Sequence, residues 1–273
     1  MLNETLSRLL REENIEYAAA LPYEDCRVLR PYLVERLAPF TPRAVVLFLV
    51  PYYAGRGENL SCYASAKDYH LYMKGLFARI SPIMQNESGY SFYGFADHSP
   101  IDERLAAARA GLGMLGENGL LIHPRYGSFV FIGEFLTDMP PEEIGAAIPQ
   151  EVAACQGCGA CAHACPTGCL GGGGEECLSA LTQKKGELTE REARLLRTGG
   201  SVWGCDRCQL VCPHNALAMR AENYTPIPYF REDRITHLTT KVLDAMNDEA
   251  FAARAFSFRG RAPLLRNLAL LDT

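Results

Sequence analysis

The stretch that decides the fold of this 273-residue chain reads Cys155-Gln-Gly-Cys158-Gly-Ala-Cys161-Ala-His-Ala-Cys165-Pro166. Its spacing, C-x2-C-x2-C-x3-C-P, is the one that holds iron–sulfur clusters in bacterial proteins. Three thiolates of such a run bind one cluster, and the fourth binds the other cluster of a pair. The run therefore predicts a domain with two 4Fe-4S clusters.

A second run, Cys205-Asp-Arg-Cys208-Gln-Leu-Val-Cys212-Pro213, lacks a first cysteine, because Val202 stands at that place. The ferredoxin pattern of sharing assigns one cluster to Cys155, Cys158, Cys161 and Cys212, and leaves Cys165, Cys205 and Cys208 for the other. The eighth ligand is then Cys169 or Cys177. Cys169 follows Cys165 by only one helical turn, whereas Cys177 lies beyond the glycine run 171–174 and can fold back, which favours Cys177.

Zinc and disulfides are the alternatives for a chain with eleven cysteines. Zinc takes four ligands from two paired half-motifs, and eight cysteines with two Cys-Pro endings fit clusters better. The chain opens without the pattern of a secretory leader, which argues against disulfides. Its longest apolar run, 44–50, is too short for a membrane span. We therefore expect a cytoplasmic protein with no membrane partner.

Length and composition predict one large and one small domain, since 48% of the residues are hydrophobic and can bury a full core. The net charge of -5 gives no overall attraction to nucleic acid. Residues 181–273 nevertheless carry 14 Lys and Arg against 11 Asp and Glu. A polyanion is expected to meet this part of the chain first.

Secondary structure upstream of the cysteines follows from apolar runs and turn residues. The apolar run 44–50 predicts a strand buried on both faces, and Ser99-Pro100 predicts a helix start. Runs 119–122 and 128–134 predict a hairpin. Gly111-x-Gly113-x-x-Gly116 follows a helix and is therefore no dinucleotide motif. The many glycines of this region fit a surface that a large flat ligand approaches closely.

Several motifs together carry a resemblance: Asp97-x-x-Pro100, Ala110-Gly-Leu-Gly113, Gly116-x-Asn118, Gly133-Glu134, Thr137-Asp138, Cys177-x-Ser179 and Trp203-Gly-Cys-Asp-Arg-Cys-Gln209. With the first cysteine run, this order resembles the epoxyqueuosine reductases, which are cobalamin-dependent iron–sulfur proteins related to reductive dehalogenases. The resemblance covers roughly residues 44–267. It implies an oxidoreductase that reduces the epoxide of epoxyqueuosine in tRNA to give queuosine, with two 4Fe-4S clusters and cobalamin as cofactors.

The resemblance also implies roles for particular residues. Asp97 matches the proton donor, and Cys177 matches the eighth cluster ligand. Positions implied to contact cobalamin are Tyr53, Cys62, Asp97, Leu121, Ser128, Ile132, Thr182 and Lys185. A helix predicted from Thr189 to Leu196 presents Arg191 and Arg194 on one face, and together with Lys184 they form the basic surface expected to meet tRNA. An external donor of flavodoxin or ferredoxin type would supply the electrons.

The predicted class is α+β, with a mixed-sheet cobalamin-binding domain and flanking helices (1–145), a ferredoxin-like two-cluster domain (146–225) and a C-terminal helical segment that packs back on the core (226–273). Full-length members continue into a C-terminal helical-repeat domain, so we expect a short form. Local departures from the family pattern are Lys67, Met114 and Glu117. Two alternative functions follow: an electron-transfer or corrinoid-reducing protein without a tRNA substrate, or a reductase of another small molecule.

Overall fold

The computed structural model describes residues 2–172 and 176–272, so positions 173 and 174 of the glycine run lie outside the described residues. The strands within these ranges are β1 (Ala18–Pro22), β2 (Ala44–Pro51), β3 (Phe92–Ala96), β4 (Met114–Leu115), β5 (Leu121–Ile122) and β6 (Val130–Thr137). The helices there are α1 (Glu4–Glu12), α2 (Pro31–Glu35), α3 (Cys62–Ser65), α4 (Tyr69–Ser88), α5 (Glu103–Arg109), α6 (Pro141–Ile144), α7 (Ala160–His163), α8 (Leu178–Gln183), α9 (Glu190–Gly199), α10 (Arg207–Leu210), α11 (Pro228–Arg231), α12 (Thr240–Asp244), α13 (Asp248–Ala252) and α14 (Arg261–Leu271).

The chain divides into two compact units. The first comprises residues 1–51 and 72–157, and the second comprises residues 52–71 and 158–273. The predicted domain boundaries at 145 and 225 stay a prediction. Among the described residues, no helix combines the length and the apolar character that crossing a membrane requires.

The first unit is built on a four-stranded sheet in the order β1-β2-β6-β3. Each of its three pairings is antiparallel, with Ala18 opposite Phe48, Ala44 opposite Thr137 and Phe92 opposite Thr137. The α+β class is confirmed, and its main sheet is antiparallel where a mixed sheet was predicted. The continuous apolar run of β2 is typical of parallel strands, but here it arises because both faces of a central antiparallel strand are covered.

Both faces of β2 pack against side chains of the first unit. Val45, Leu47 and Leu49 join the alanines of α5 in one apolar cluster. On the other face, the Phe48 ring lies 5.5 Å from Phe135 and 6.3 Å from Phe77 of α4 between ring centroids. All eight residues of β2 are buried, which confirms the strand predicted over 44–50.

Helix α5 begins later than Ser99-Pro100 predicted. Its N-cap is Asp102, whose side chain accepts a hydrogen bond from the backbone amide of Leu105 at 3.3 Å. The Ser99 hydroxyl instead accepts from the amide of Ile101 and donates to Glu134. Ile101 forms a β-bridge with Val28, which keeps this residue out of the helix.

The predicted hairpin of 119–122 with 128–134 was wrong. Strand β5 pairs with β4, with Met114 opposite Ile122, while β6 lies between β2 and β3 in the main sheet. Both edges of β6 are therefore occupied, and β5 has no free edge there to join. The connection itself is closed by an isolated bridge between His123 and Gly127.

The second unit has its own core around the fully buried Trp203. Buried partners of this core include Leu60, Leu238, Phe256 and Leu264. The predicted helix over 189–196 corresponds to α9, whose capping box joins Thr189 and Glu192 reciprocally. The Asn267 side chain donates to the carbonyl oxygens of Thr182 and Val202, at 2.8 Å each, and so ties α14 to the segments around the second cysteine run.

Candidate functional site

Cys155 belongs to the first unit, where the strand that carries it is fixed by backbone contacts. Its amide donates to the carbonyl of Leu115 at 3.0 Å, next to a bridge between Leu115 and Ala154. Its Sγ accepts a hydrogen bond from the amide of Glu117 at 3.4 Å. Hydrogen bonds to sulfur tune the potential of a bound cluster.

The other seven predicted cluster cysteines belong to the second unit. Burial raises the pKa of the Cys212 thiol, and the charges of Cys158 and Cys161 raise it further. Burial likewise raises the pKa of Cys208 to about 12, with contributions from Cys205 and Cys177. Within the second unit Cys212 therefore interacts with Cys158 and Cys161, and Cys208 interacts with Cys205, Cys177 and Cys161, while the ligation itself stays a prediction.

Cys165 and Cys169 lie together, with 3.5 Å between their Sγ atoms. Burial raises the pKa of Cys165, but hydrogen bonds from Leu170 and Thr167 outweigh it and lower the pKa to about 6. Burial raises the pKa of Cys169 above its ordinary value. Cys165 is therefore the thiol of this pair that ionises readily, as an iron ligand must.

The surroundings of Cys177 favour it as the eighth ligand. Its charge acts on both Cys205 and Cys208, the two thiols of the cluster that lacks a ligand. Cys169 instead lies beside Cys165. In the described residues no three His, Cys, Asp or Glu side chains converge closely enough to hold a single metal ion. The thiolates of a cubane bind different irons and are spread more widely than the ligands of one ion.

Asp206, between Cys205 and Cys208, connects the second cysteine run to the segment of Cys62. Its carboxylate accepts from the Ser61 hydroxyl at 2.5 Å, the Cys62 amide at 2.6 Å and the Gln209 side chain at 3.0 Å. Cys62 itself is buried, and burial and the charge of Asp206 raise the pKa of its thiol. Sequence reasoning missed Asp206, although its place between two cluster cysteines was a usable signal.

The remaining predicted positions of the second unit have the following surroundings. Tyr53 is buried with its ring edge-on to Tyr224, and Thr182 is fully buried, with its hydroxyl bonded to Ser179 and Gly204. Lys185 is exposed. Lys184 pairs with Glu192 at 2.6 Å, and Arg191 and Arg194 are both exposed on α9.

In the first unit, Leu121, Ser128 and Ile132 are buried, with 3%, 4% and 8% of their surface exposed. The side chains of Leu121 and Ile132 belong to the apolar core, which leaves their backbone for any cofactor. The glycines of this region also have internal roles. A Cβ on Gly133 would lie 2.4 Å from the Phe48 ring, and a Cβ on Gly113 would lie 2.6 Å from the Ile122 carbonyl oxygen.

Asp97 directly follows β3, has a backbone φ of +60° and is exposed. Two further acids of the first unit lie behind it, and sequence reasoning missed both of them. Burial raises the pKa of Glu103 to about 7, and the charge of Asp97 raises it as well. Burial also raises the pKa of Glu134 well above its ordinary range. A glutamate within the apolar strand β6 was the available signal for this group.

Comparison with known proteins follows this geometry. The family described as a 4Fe-4S double cluster binding domain matches residues 154–215. An epoxyqueuosine reductase of Bacillus cereus is 32% identical over 227 residues, which are 79% of this chain and 57% of the relative. The chain belongs to the epoxyqueuosine reductase family. It spans a little over half the length of such curated relatives.

Solved structures of this family share the fold. An epoxyqueuosine reductase with an epoxyqueuosine-modified tRNA-Tyr stem loop gives a TM-score of 0.73 at 21% identity, covering 98% of this chain and 80% of that one. The Bacillus subtilis epoxyqueuosine reductase gives 0.74 at 22% identity, covering 98% and 81%. Its structure has the catalytic aspartate loop swung out of the active site.

Proposed function

We propose that this member of the epoxyqueuosine reductase family is a cobalamin- and 4Fe-4S-dependent reductase that removes the epoxide oxygen of epoxyqueuosine in tRNA. The observation that carries the proposal is the arrangement of the cluster cysteines. Cys212 interacts with Cys158 and Cys161, and Cys208 interacts with Cys205 and Cys177, in a chain 32% identical to an epoxyqueuosine reductase. Two clusters suit a reaction that consumes two electrons, which are supplied one at a time.

The reaction balances with two electrons and two protons. Both carbon–oxygen bonds of the epoxide break, a carbon–carbon double bond forms, and the oxygen leaves as water. Bound cobalamin would supply the two-electron chemistry at carbon. Residues proposed to hold it in the first unit are Leu121, Ser128 and Ile132, and those in the second unit are Tyr53, Cys62, Thr182 and Lys185.

Asp97 is the proposed acid that protonates the departing oxygen. It lies at the end of β3 in a left-handed backbone conformation that only a loop residue adopts readily. In the Bacillus subtilis relative the catalytic aspartate also lies on a loop, and that loop can leave the active site. The exposed position of Asp97 is consistent with such a loop.

The substrate and the partners belong to the same proposal. A family member has been solved with an epoxyqueuosine-modified tRNA stem loop, and α9 offers exposed Arg191 and Arg194 for phosphate contact. Reduction of the clusters requires a low-potential one-electron donor, and we assign this role to a flavodoxin- or ferredoxin-type protein. Modification of tRNA would place the protein in the cytoplasm.

The proposal is tested first by cofactor binding. The protein is reconstituted anaerobically with iron and sulfide and titrated with cob(II)alamin, while electron paramagnetic resonance follows the cobalt signal. We expect stoichiometric binding, seen as a change in the cobalt signal that saturates at one cobalamin per chain. Intact clusters without cobalamin binding would contradict the reductase and leave an electron carrier.

Turnover is then measured with epoxyqueuosine-containing tRNA and a chemical reductant. We expect queuosine from the native chain and a loss of at least about 100-fold in the Asp97→Asn variant, because general acid catalysis contributes 100-fold or more. Cluster reduction by dithionite serves as the control and is expected to be equal in both proteins. Full epoxide reduction by Asp97→Asn would exclude Asp97 as the acid.

A further inference from the structure

Two carboxyl groups of the first unit, the half-buried Glu103 and the fully buried Glu134, have no role in the function proposed so far. Glu103 is the first residue of α5, and Glu134 lies on β6 opposite Phe95 of β3. Asp97 follows β3 two residues after Phe95. The strand pairing and the start of α5 therefore place both acids close behind the proposed proton donor.

Hydrogen bonds and charge link these groups into a chain. The backbone amide of Asp97 donates to the Glu103 carboxylate, and the two carboxylates interact through their charges. Glu103 in turn interacts with Glu134, whose Oε1 accepts from the Ser99 hydroxyl at 2.5 Å. The interactions run from the exposed Asp97 through the half-buried Glu103 to the fully buried Glu134.

One oxygen of each glutamate is buried without a donor. Oε2 of Glu103 and Oε2 of Glu134 have no solvent contact and no hydrogen-bond partner among the described residues. Glu134 as a whole has 0% of its surface exposed. An ionised carboxylate is costly in such surroundings, so the arrangement favours carboxyl groups that hold a proton.

The reaction needs more protons than Asp97 can store. Removal of an epoxide oxygen as water consumes two protons, and one aspartic acid carries one. The second proton must reach the site within the same turnover, either from solvent or from a neighbouring acid. Glu103 is the acid in contact with Asp97.

We propose that Glu103 is a proton-positioning residue that recharges Asp97 during each turnover. The inference rests on the proposed function, since it names the source of the second proton of that reaction. Glu103 loses its proton to the Asp97 carboxylate and regains one from water, so no further reactant is required.

The charged groups around the two glutamates determine the pH range in which Glu103 loses its proton. Asp97 and Asp102 raise the pKa of Glu103, Arg104 lowers it, and burial is the largest cause of the rise to about 7. Glu134 faces Ser99 and Glu103, and its charge also acts on Cys26 and Tyr23. Glu103 therefore holds its proton below about pH 7 and loses it above, so the second proton becomes limiting as the pH rises.

The test compares Glu103→Gln with Asp102→Asn. Glutamine keeps an acceptor for the Asp97 amide but carries no proton, and asparagine at the neighbouring N-cap leaves Glu103 intact. Single-turnover reduction of epoxyqueuosine-containing tRNA is followed against pH with the clusters reduced beforehand. We expect the fall in rate to be present around pH 7 in the native chain, present at a somewhat lower pH in Asp102→Asn because the Asp102 charge raises the pKa of Glu103, and absent from Glu103→Gln. The latter should be about tenfold or more slower at pH 6.

A second readout needs no activity. Infrared difference spectra recorded across pH 7 should show a carboxyl band that disappears as the pH rises in the native chain and in Asp102→Asn. Glu103→Gln should lack this titrating band, whereas the carboxyl group of Glu134 is common to all three proteins. Glu103→Asp keeps the acid on a side chain one methylene shorter and should retain a band with a shifted midpoint. This variant tests the proposal even if Glu103→Gln folds poorly.

The outcomes separate the inference from the proposed function. If the native chain does not reduce the tRNA epoxide, the proposed function fails, and the inference fails with it. If the native chain is active and Glu103→Gln shows the same pH profile at a lower rate, Glu103 is only structural and the inference alone is overturned. An unchanged infrared band in Glu103→Gln has the same consequence.

Discussion

Cys169 and Cys177 both come from the segment in which the eighth cluster ligand was expected, yet their surroundings differ. Cys177 acts by its charge on Cys205 and Cys208, whereas Cys169 lies 3.5 Å from Cys165. We predict that Cys177→Ala loses one of the two clusters on reconstitution and that Cys169→Ala retains both. Iron and sulfide per chain, with electron paramagnetic resonance of the reduced protein, measure the difference. Two clusters in Cys177→Ala and one in Cys169→Ala would reverse the assignment.

Functional residues could be predicted from the sequence where their chemistry requires a fixed spacing along the chain. The cysteine runs identified their cofactor without a structure, and the family match over 154–215 agrees with them. Glu103 and Glu134 could not be found in this way, because their pKa values depend on burial and on contacts between residues far apart in the chain. The position of Asp206 between two cluster cysteines could be read from the sequence, but its three hydrogen bonds could be seen only in the structure.

At the scale of elements, the contact between α4 and β3 makes a stability prediction. A Cβ on Gly94 of β3 would lie 2.1 Å from Cγ of Phe77, so Gly94→Ala must displace that ring. We predict a loss of about 1–3 kcal/mol in the free energy of unfolding, measured by denaturant titration. Gly75→Ala in α4 is the matched control, because its Cβ would meet only the flexible end of Arg79. It should stabilise the helix by about 0.5–1 kcal/mol. Equal effects of the two changes would contradict this packing.

Helices and strands were predicted correctly where local sequence signals agreed with the tertiary structure. Strand β2 was predicted from an apolar run, and the helix predicted over 189–196 is α9, whose capping box of Thr189 and Glu192 is a local signal of the same kind. The start of α5 was misplaced because Ser99, a good cap, is used by Glu134 instead. The hairpin prediction failed because the partners of β6 are β2 and β3, which are distant in the chain.

The molecule as a whole carries a net charge of -5, so any binding of tRNA must come from a local basic surface and be sensitive to salt. We predict that the Arg191→Ala/Arg194→Ala double variant of α9 weakens tRNA binding. The slope of log affinity against log salt concentration should decrease in magnitude by about 1–2, since each phosphate contact releases close to one counterion. Lys74→Ala, which removes an exposed charge on α4, is the control and should keep the native slope. An equal change in both variants would mean that general charge, rather than this face of α9, attracts the tRNA. An unchanged slope in the double variant would exclude α9 from the interface and direct the search to other basic residues of the second unit.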